Sequence, residues 1–190
     1  PSLDNIAWPA APESDDGALS ATWLGVTTVL IDDGDTQILI DGFFSRPSLA
    51  DGLLRRPVVN DAAIINYVLH EFDMRRLAAV IPVHSHFDHA MDAGAIAKRT
   101  KASVLGSEST ANIARGAGVP EDQIVVASTG ETYQFGEFKV RLLESRHGPI
   151  GWRGSVPLPG TIEEPLAMPA PIQAMRLGAA YTVVVEHPLG

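Results

Sequence analysis

The segment His84-Ser85-His86-Phe87-Asp88-His89 places three imidazoles and a carboxylate within six residues, directly behind an apolar run that ends at Val83. No other feature constrains the fold as strongly. Residues 76–83 read as a short buried strand and Ala90–Thr100 as a helix, so the cluster occupies a strand-to-helix junction. In extended backbone His84 and His86, two positions apart, point to the same side. Asp88 and His89 belong to the first helical turn and aim differently. One pair at the strand exit and one at the helix entry suit two neighbouring metal positions. Imidazole and carboxylate are ligands that zinc, iron and manganese accept. Burying the same groups without a metal would require a partner for every ring nitrogen and carboxylate oxygen.

The flanking sequence supplies alternating elements. Thr22–Ile31 is rich in β-branched residues and reads as a strand. Asp32-Asp33-Gly34-Asp35 is turn chemistry, and Thr36–Ile40 follows as the second arm of a hairpin. Asp61–Phe72 reads as a helix capped by Asn60 or Asp61, with Ile64, Val68 and Phe72 on one face. His70 falls outside that stripe and is expected in solvent. Beyond the cluster, Ala102–Gly106 and Ile124–Ala127 read as strands. Between them Ser109–Arg115 is a helix that Gly116, Gly118 and Pro120 bring to a close. Glu131–Phe135 and Glu137–Leu143 form a hairpin around Gly136, and Tyr181–Val185 is a last strand. Mixed α/β layering follows from this order.

Two stretches stand apart. Residues 1–20, acidic and carrying Pro9 and Pro12, read as an N-terminal arm ahead of a domain at 21–190. Between 149 and 171, six prolines fall among Ile150, Trp152, Val156, Leu158, Ile162, Leu166 and Met168. Proline at that density excludes regular helix and central strand. The apolar content suits a lid, a substrate wall or a subunit contact, or a surface loop folded onto its own side chains.

Composition narrows the function. A net charge of −9 opposes a nucleic-acid backbone, so no nucleic-acid partner is expected. The absence of cysteine removes disulfides, thiolate metal sites and a cysteine nucleophile together. No apolar run approaches the ~18 residues of a membrane span. The first residue is Pro1 rather than methionine, which suggests a processed chain and favours an exported or periplasmic location over a cytoplasmic one.

The motif His84-x-His86-x-Asp88-His89, behind an N-terminal hairpin that ends at Asp41, resembles the metallo-β-lactamase superfamily. The segments TWLGVTTVLIDDGDTQILIDG and VHSHFDHAMDAGAIAK are similar to its broad branch of zinc-dependent hydrolases, with lactonase-like and phospholipase D-like members. The likeness runs from about Thr22 to His147. It implies an αββα sandwich, of which this chain would hold the first half and part of the second. It further implies that His84 and His86 join a later histidine, His147, at one metal. Asp88 and His89 then serve a second, while Asp41 supports the ligands from behind. His187 is expected to have no metal role. One or two Zn²⁺ ions are implied, with Fe or Mn as alternatives.

The chain departs from this pattern after His147. A complete site also has a bridging aspartate and a final histidine, yet the acids that follow are Glu163, Glu164 and Glu186 alone. The domain is therefore expected to be incomplete, and to pack against a further C-terminal segment or another chain. The function implied is hydrolysis of an ester, lactone, amide or phosphodiester bond in a small, partly apolar molecule. A metal-held hydroxide would attack, with Asp88 orienting it or accepting a proton. The alternative is a non-catalytic metal-binding or assembly module of the same fold.

Overall fold

The computed structural model describes residues 18–190. The expected arm thus lies outside the described residues as far as position 17, and the first strand begins at Ser20. The β-branched residues of the first third form three strands, β1 (Ser20–Trp23), β2 (Val29–Asp32) and β3 (Gln37–Ile40). Thr22–Ile31 is therefore not one strand. Gly25 and Val26 both take positive φ, +93° and +54°, and Thr28 N–H bonds back to the Gly25 carbonyl at 3.0 Å. The turn interrupts a run whose composition alone suggests a strand, because local propensity is weaker than the pairing of β1 with β2.

A short helix, α1 (Leu49–Leu53), and a two-residue strand, β4 (Pro57–Val58), precede α2 (Ala62–Glu71). Asp61 caps α2 by accepting from the N–H groups of Ala63 and Ile64. Ile64, Val68 and Phe72 are buried as their spacing predicts, and His70 is exposed. Strand β5 (Leu77–Ile81) leads into the histidine cluster and the single-turn α3 (Phe87–Ala90), followed by α4 (Ala93–Thr100). Strand β6 (Ser103–Gly106), α5 (Glu108–Gly116) and β7 (Ile124–Val126) continue the alternation. The chain ends with β8 (Thr132–Phe135), β9 (Phe138–Ser145), β10 (Ala170–Pro171) and β11 (Ala180–Glu186).

The first sheet runs β1-β2-β3-β5-β6-β7, antiparallel as far as β3 and parallel beyond it. The second, β11-β9-β8, is antiparallel throughout. Central strands of the first sheet are apolar on both faces, as a doubly covered sheet requires. Leu30, Leu39 and Val80 meet Ile64, Val68 and Ile96 from α2 and α4. Ile38, Ala79, Ile81 and Leu105 meet Phe138, Val140 and Leu142 of β9. The layers are thus helices, sheet, sheet. The alternate residues of β9 and β11, among them Lys139, Leu143, Thr182 and Glu186, are exposed on the outer side of the second sheet.

The expected continuous helix at 90–100 is divided between α3 and α4 because Gly42 bonds into the gap. The Gly42 N–H donates to the His89 carbonyl at 2.7 Å, and its carbonyl accepts the N–H of Asp92 at 3.0 Å. Asp92 also braces this break through its side chain. Its fully buried carboxylate accepts from the N–H groups of Phe44 and Ser45 at 2.7 Å each, from Ser45 Oγ at 2.6 Å and from Asn60 Nδ2 at 2.8 Å. Burial pushes this carboxyl above the usual range, while the four donors pull it down. The residue gathers the loop after β3, the approach to α2 and the start of α4. Asp92→Ala leaves two backbone N–H groups without acceptors. It is expected to lower the unfolding free energy by about 3 kcal/mol or more. A urea unfolding curve superimposable on wild type would show that Asp92 does not have this role.

Candidate metal centre

Strand β5 ends at Ile81, and the backbone between it and α3 carries the motif across the carboxyl end of the sheet. The buried rings of His84 and His86 meet edge to face with centroids 4.6 Å apart. His84 Nε2 and His86 Nδ1 are 3.0 Å apart. Two nitrogens held about 2.0–2.1 Å from a tetrahedral zinc lie about 3.3 Å apart, so the pair is already near ligand spacing.

The third imidazole arrives from the second sheet. His147 follows the end of β9, and its ring lies 4.9 Å from that of His84 and 5.0 Å from that of His86. One donor atom from each of His84, His86 and His147 falls within 4.8 Å of the others. His147 Nδ1 is 2.7 Å from the Gly148 carbonyl. A carbonyl only accepts, so Nδ1 carries the hydrogen and Nε2 keeps its lone pair for a ligand. The donor set is all-imidazole, converging and largely withdrawn from solvent, which suits a divalent transition ion.

Asp88 and His89 lie beside this triple rather than within it. The rings of His84 and His89 are 3.8 Å apart, and His89 Nε2 is 3.8 Å from the Asp88 carboxylate. Asp88 is the more open of the two, with 38% of its side chain exposed. His89 Nδ1 is bonded to Asp41 Oδ2 at 2.7 Å, and Asp41 Oδ1 accepts the Val83 N–H at 2.8 Å. The Asp41 carboxylate therefore fixes the His89 tautomer, with Nε2 unprotonated and turned towards Asp88. Asp41 adopts φ +60°, an uncommon conformation for a residue other than glycine.

Residues with no obvious chemical signature complete the surroundings. Thr27, in the turn between β1 and β2, brings Oγ1 to 3.3 Å from His89 Nδ1. The Leu158 carbonyl lies 3.3 Å from His86 Nε2. Neither stands out in the sequence, since a threonine in a turn and a leucine between two prolines advertise no ligand role. His187 stands apart from the cluster. It is buried against Asp33, with Nε2 to Oδ2 at 3.0 Å, and ties β11 to the β2–β3 turn.

A profile of the metallo-beta-lactamase superfamily matches residues 21–165. The chain belongs to the metallo-beta-lactamase superfamily. Among curated proteins it is 30% identical over 132 residues to a UPF0173 metal-dependent hydrolase of Myxococcus xanthus (strain DK1622), covering 69% of this chain and 40% of that protein. It is 31% identical over 130 residues to a UPF0173 metal-dependent hydrolase of Heliobacterium modesticaldum (strain ATCC 51547 / Ice1), covering 68% and 46%. The chain thus spans less than half the length of these relatives. Among solved structures, Igni18, a metallo hydrolase from Ignicoccus hospitalis KIN4/I, aligns over 89% of this chain and 56% of that one at 17% identity, with a TM-score of 0.49.

Within this superfamily member the first-motif imidazole is held neutral. Burial first, and then the neighbouring rings of His89, His86 and His147, lower the His84 pKa to about 2. In an unfolded chain the same group titrates near ~6.5. Between those values the unfolded state binds a proton that the folded state refuses, so metal-free stability falls as pH drops below about 6.5. The thermal midpoint of metal-free protein is expected to be lower at pH 5 than at pH 7.5, and His84→Ala to shrink that difference. An equal pH dependence in wild type and variant would count against the assignment.

Proposed function

We propose that the protein is a metal-dependent hydrolase acting on an ester, lactone, amide or phosphodiester bond of a small molecule. The observation that carries this reading is the convergence of His84, His86 and His147 from two sheets, with Asp88 and His89 alongside. His84, His86 and His147 would hold one ion, and Asp88 with His89 a second. A bound ion supplies Lewis-acid polarisation of the substrate oxygen and a lowered pKa for attacking water. Asp88, with 38% of its side chain exposed, would orient the attacking water or accept a proton. Asp41 keeps His89 aimed, and the buried rings of His84 and His86 limit solvent access. Zinc suits the imidazole set best, with iron or manganese as alternatives.

Exposed apolar side chains lie close in sequence to residues of the cluster. Val26, beside Thr27, is 50% exposed; Ile150 and Trp152, shortly after His147, are 79% and 84% exposed. These side chains support a partly apolar substrate. The second sheet's exposed outer face, together with the chain's share of its relatives' length, supports a further segment or another chain packed there. The net charge of −9 continues to argue against nucleic acid.

Purified protein reconstituted with zinc is expected to turn over generic ester or phosphodiester substrates. Activity should fall at least 100-fold on chelation and in His86→Ala. Stoichiometric zinc without turnover, in a form that includes whatever completes the sandwich, would replace this reading with a non-catalytic metal-binding module.

A further inference from the structure

The proline-rich stretch divides into two parts with different surroundings. From Ile162 to Met168 its apolar side chains pack into a core with Phe43, Met91 and Ile113, which Ile172 and Met175 just beyond it also join. Two buried polar residues of α5 anchor it there: Ser109 Oγ accepts the Ile162 N–H at 2.9 Å, and Asn112 Nδ2 donates to the Ile162 carbonyl at 2.8 Å. The preceding piece, Leu158 to Gly160, instead runs past the histidine motif. The Leu177 N–H bonds the Leu158 carbonyl at 2.9 Å, and the Gly178 N–H bonds the Gly160 carbonyl at 2.9 Å.

Leu158 has φ +41°. Left-handed backbone is unfavourable for leucine and persists where the surroundings over-determine it. Here that conformation coincides with a carbonyl aimed at a candidate ligand, His86 Nε2, 3.3 Å away. Ser85, buried between the two motif histidines, closes the arrangement. Its Oγ lies 2.6 Å from the Arg176 carbonyl and 3.0 Å from that of Leu177, and its N–H donates to Leu177 at 3.1 Å. The same residue Leu177 donates to Leu158. Gly178 leaves no room for a side chain at this crossing, since a Cβ there would come within 2.7 Å of Ser85 Oγ.

We infer that the Leu158 carbonyl is a positioning group for the metal centre and that Ser85 is the side chain that holds it in place. A carbonyl accepts only, so it selects the neutral His86 tautomer with hydrogen on Nε2. Nδ1, which faces His84 Nε2 at 3.0 Å, is left as the ligating atom. Outer contacts of this kind fix imidazole orientation and contribute to metal affinity. The proline-rich stretch is then part of the metal centre through its backbone. Leucine's side chain at 158 is not required, while the direction of its carbonyl is.

The inference rests on the metal-centre reading, and two measurements separate their fates. Ring ¹⁵N NMR of the metal-free protein reports the His86 tautomer directly. Hydrogen on Nε2 is expected, and hydrogen on Nδ1 overturns the inference whether or not metal binds. Zinc affinity by chelator competition supplies the second readout. Leu158→Pro cannot adopt positive φ and is expected to weaken zinc binding about 10–100-fold. Leu158→Gly keeps the carbonyl, adopts positive φ readily, and should remain within about threefold of wild type. Equal losses in both variants, or none in Leu158→Pro, overturn the role of the carbonyl. Should Leu158→Pro fail to fold, Ser85→Ala carries the test. It is expected to weaken zinc binding and to broaden the tautomer population, and unchanged values overturn the inference. Wild-type protein that binds no zinc defeats the metal-centre reading and the inference with it, whereas zinc binding with the hydrogen on Nδ1 defeats the inference alone.

Discussion

The Asp41 carboxylate is the junction on which the site depends. One oxygen accepts the N–H of Val83, where the motif leaves β5, and the other holds His89, where α3 begins. The backbone N–H of Asp41 in turn donates to the Ile81 carbonyl. A single buried side chain thereby joins the end of β3, the exit of β5 and the entry of the following helix. A neutral amide could occupy the space but would offer one acceptor oxygen where the structure uses two. The left-handed backbone at Asp41 is the cost of bringing both oxygens to bear, offset by two hydrogen bonds to groups that are otherwise withdrawn from water.

What the sequence made legible follows from how local each signal is. The motif compresses four chemical groups into six residues, so their proximity needs no tertiary information, only a strand that stops and a helix that starts. The buried face of α2 is equally local, because its 3.6-residue period is written in Ile64, Val68 and Phe72. The turn at Gly25–Thr28 was hidden because its flanking residues favour strand on either side. The break between α3 and α4 was hidden for a different reason. The backbone of Gly42, distant in sequence, takes up the His89 carbonyl and the Asp92 N–H there, and Phe44, Ser45 and Asn60 reach the Asp92 carboxylate from equally remote positions.

The backbone groups around the cluster were the least legible of all. Any residue has a carbonyl, so Leu158 carries no chemical mark, and its role depends on where Ser85 and Leu177 fix it. Proline density announced an irregular stretch without saying which portion packs into the core and which faces the imidazoles. The serine and asparagine side chains of α5 that dock Ile162 are buried on a helix that the sequence reads only by its ends. Buried polar residues of this kind acquire meaning from their partners, and partners distant in sequence are what a linear reading lacks.

His147 gives the arrangement a thermodynamic consequence. The other two members of the triple belong to the first sheet's strand-to-helix junction, whereas His147 follows β9 in the second. An ion held by all three would link the two sheets at the cluster. At the opposite end of the strands, the buried His187–Asp33 pair links β11 to the β2–β3 turn. Beside the cluster, the Tyr181 N–H of β11 donates to the Val83 carbonyl at 2.9 Å. Between these ends lie the apolar contacts of Phe138, Val140 and Leu142 with Ile38, Ala79, Ile81 and Leu105, which resist separation without dictating an angle. Directional links at both ends supply what that core lacks. Because such a ligand set exists only when the sheets are correctly packed, binding there stabilises the folded state by mass action. Metal affinity and sheet packing would then be one coupled quantity, and a substitution between the sheets would alter the site without touching the three imidazoles.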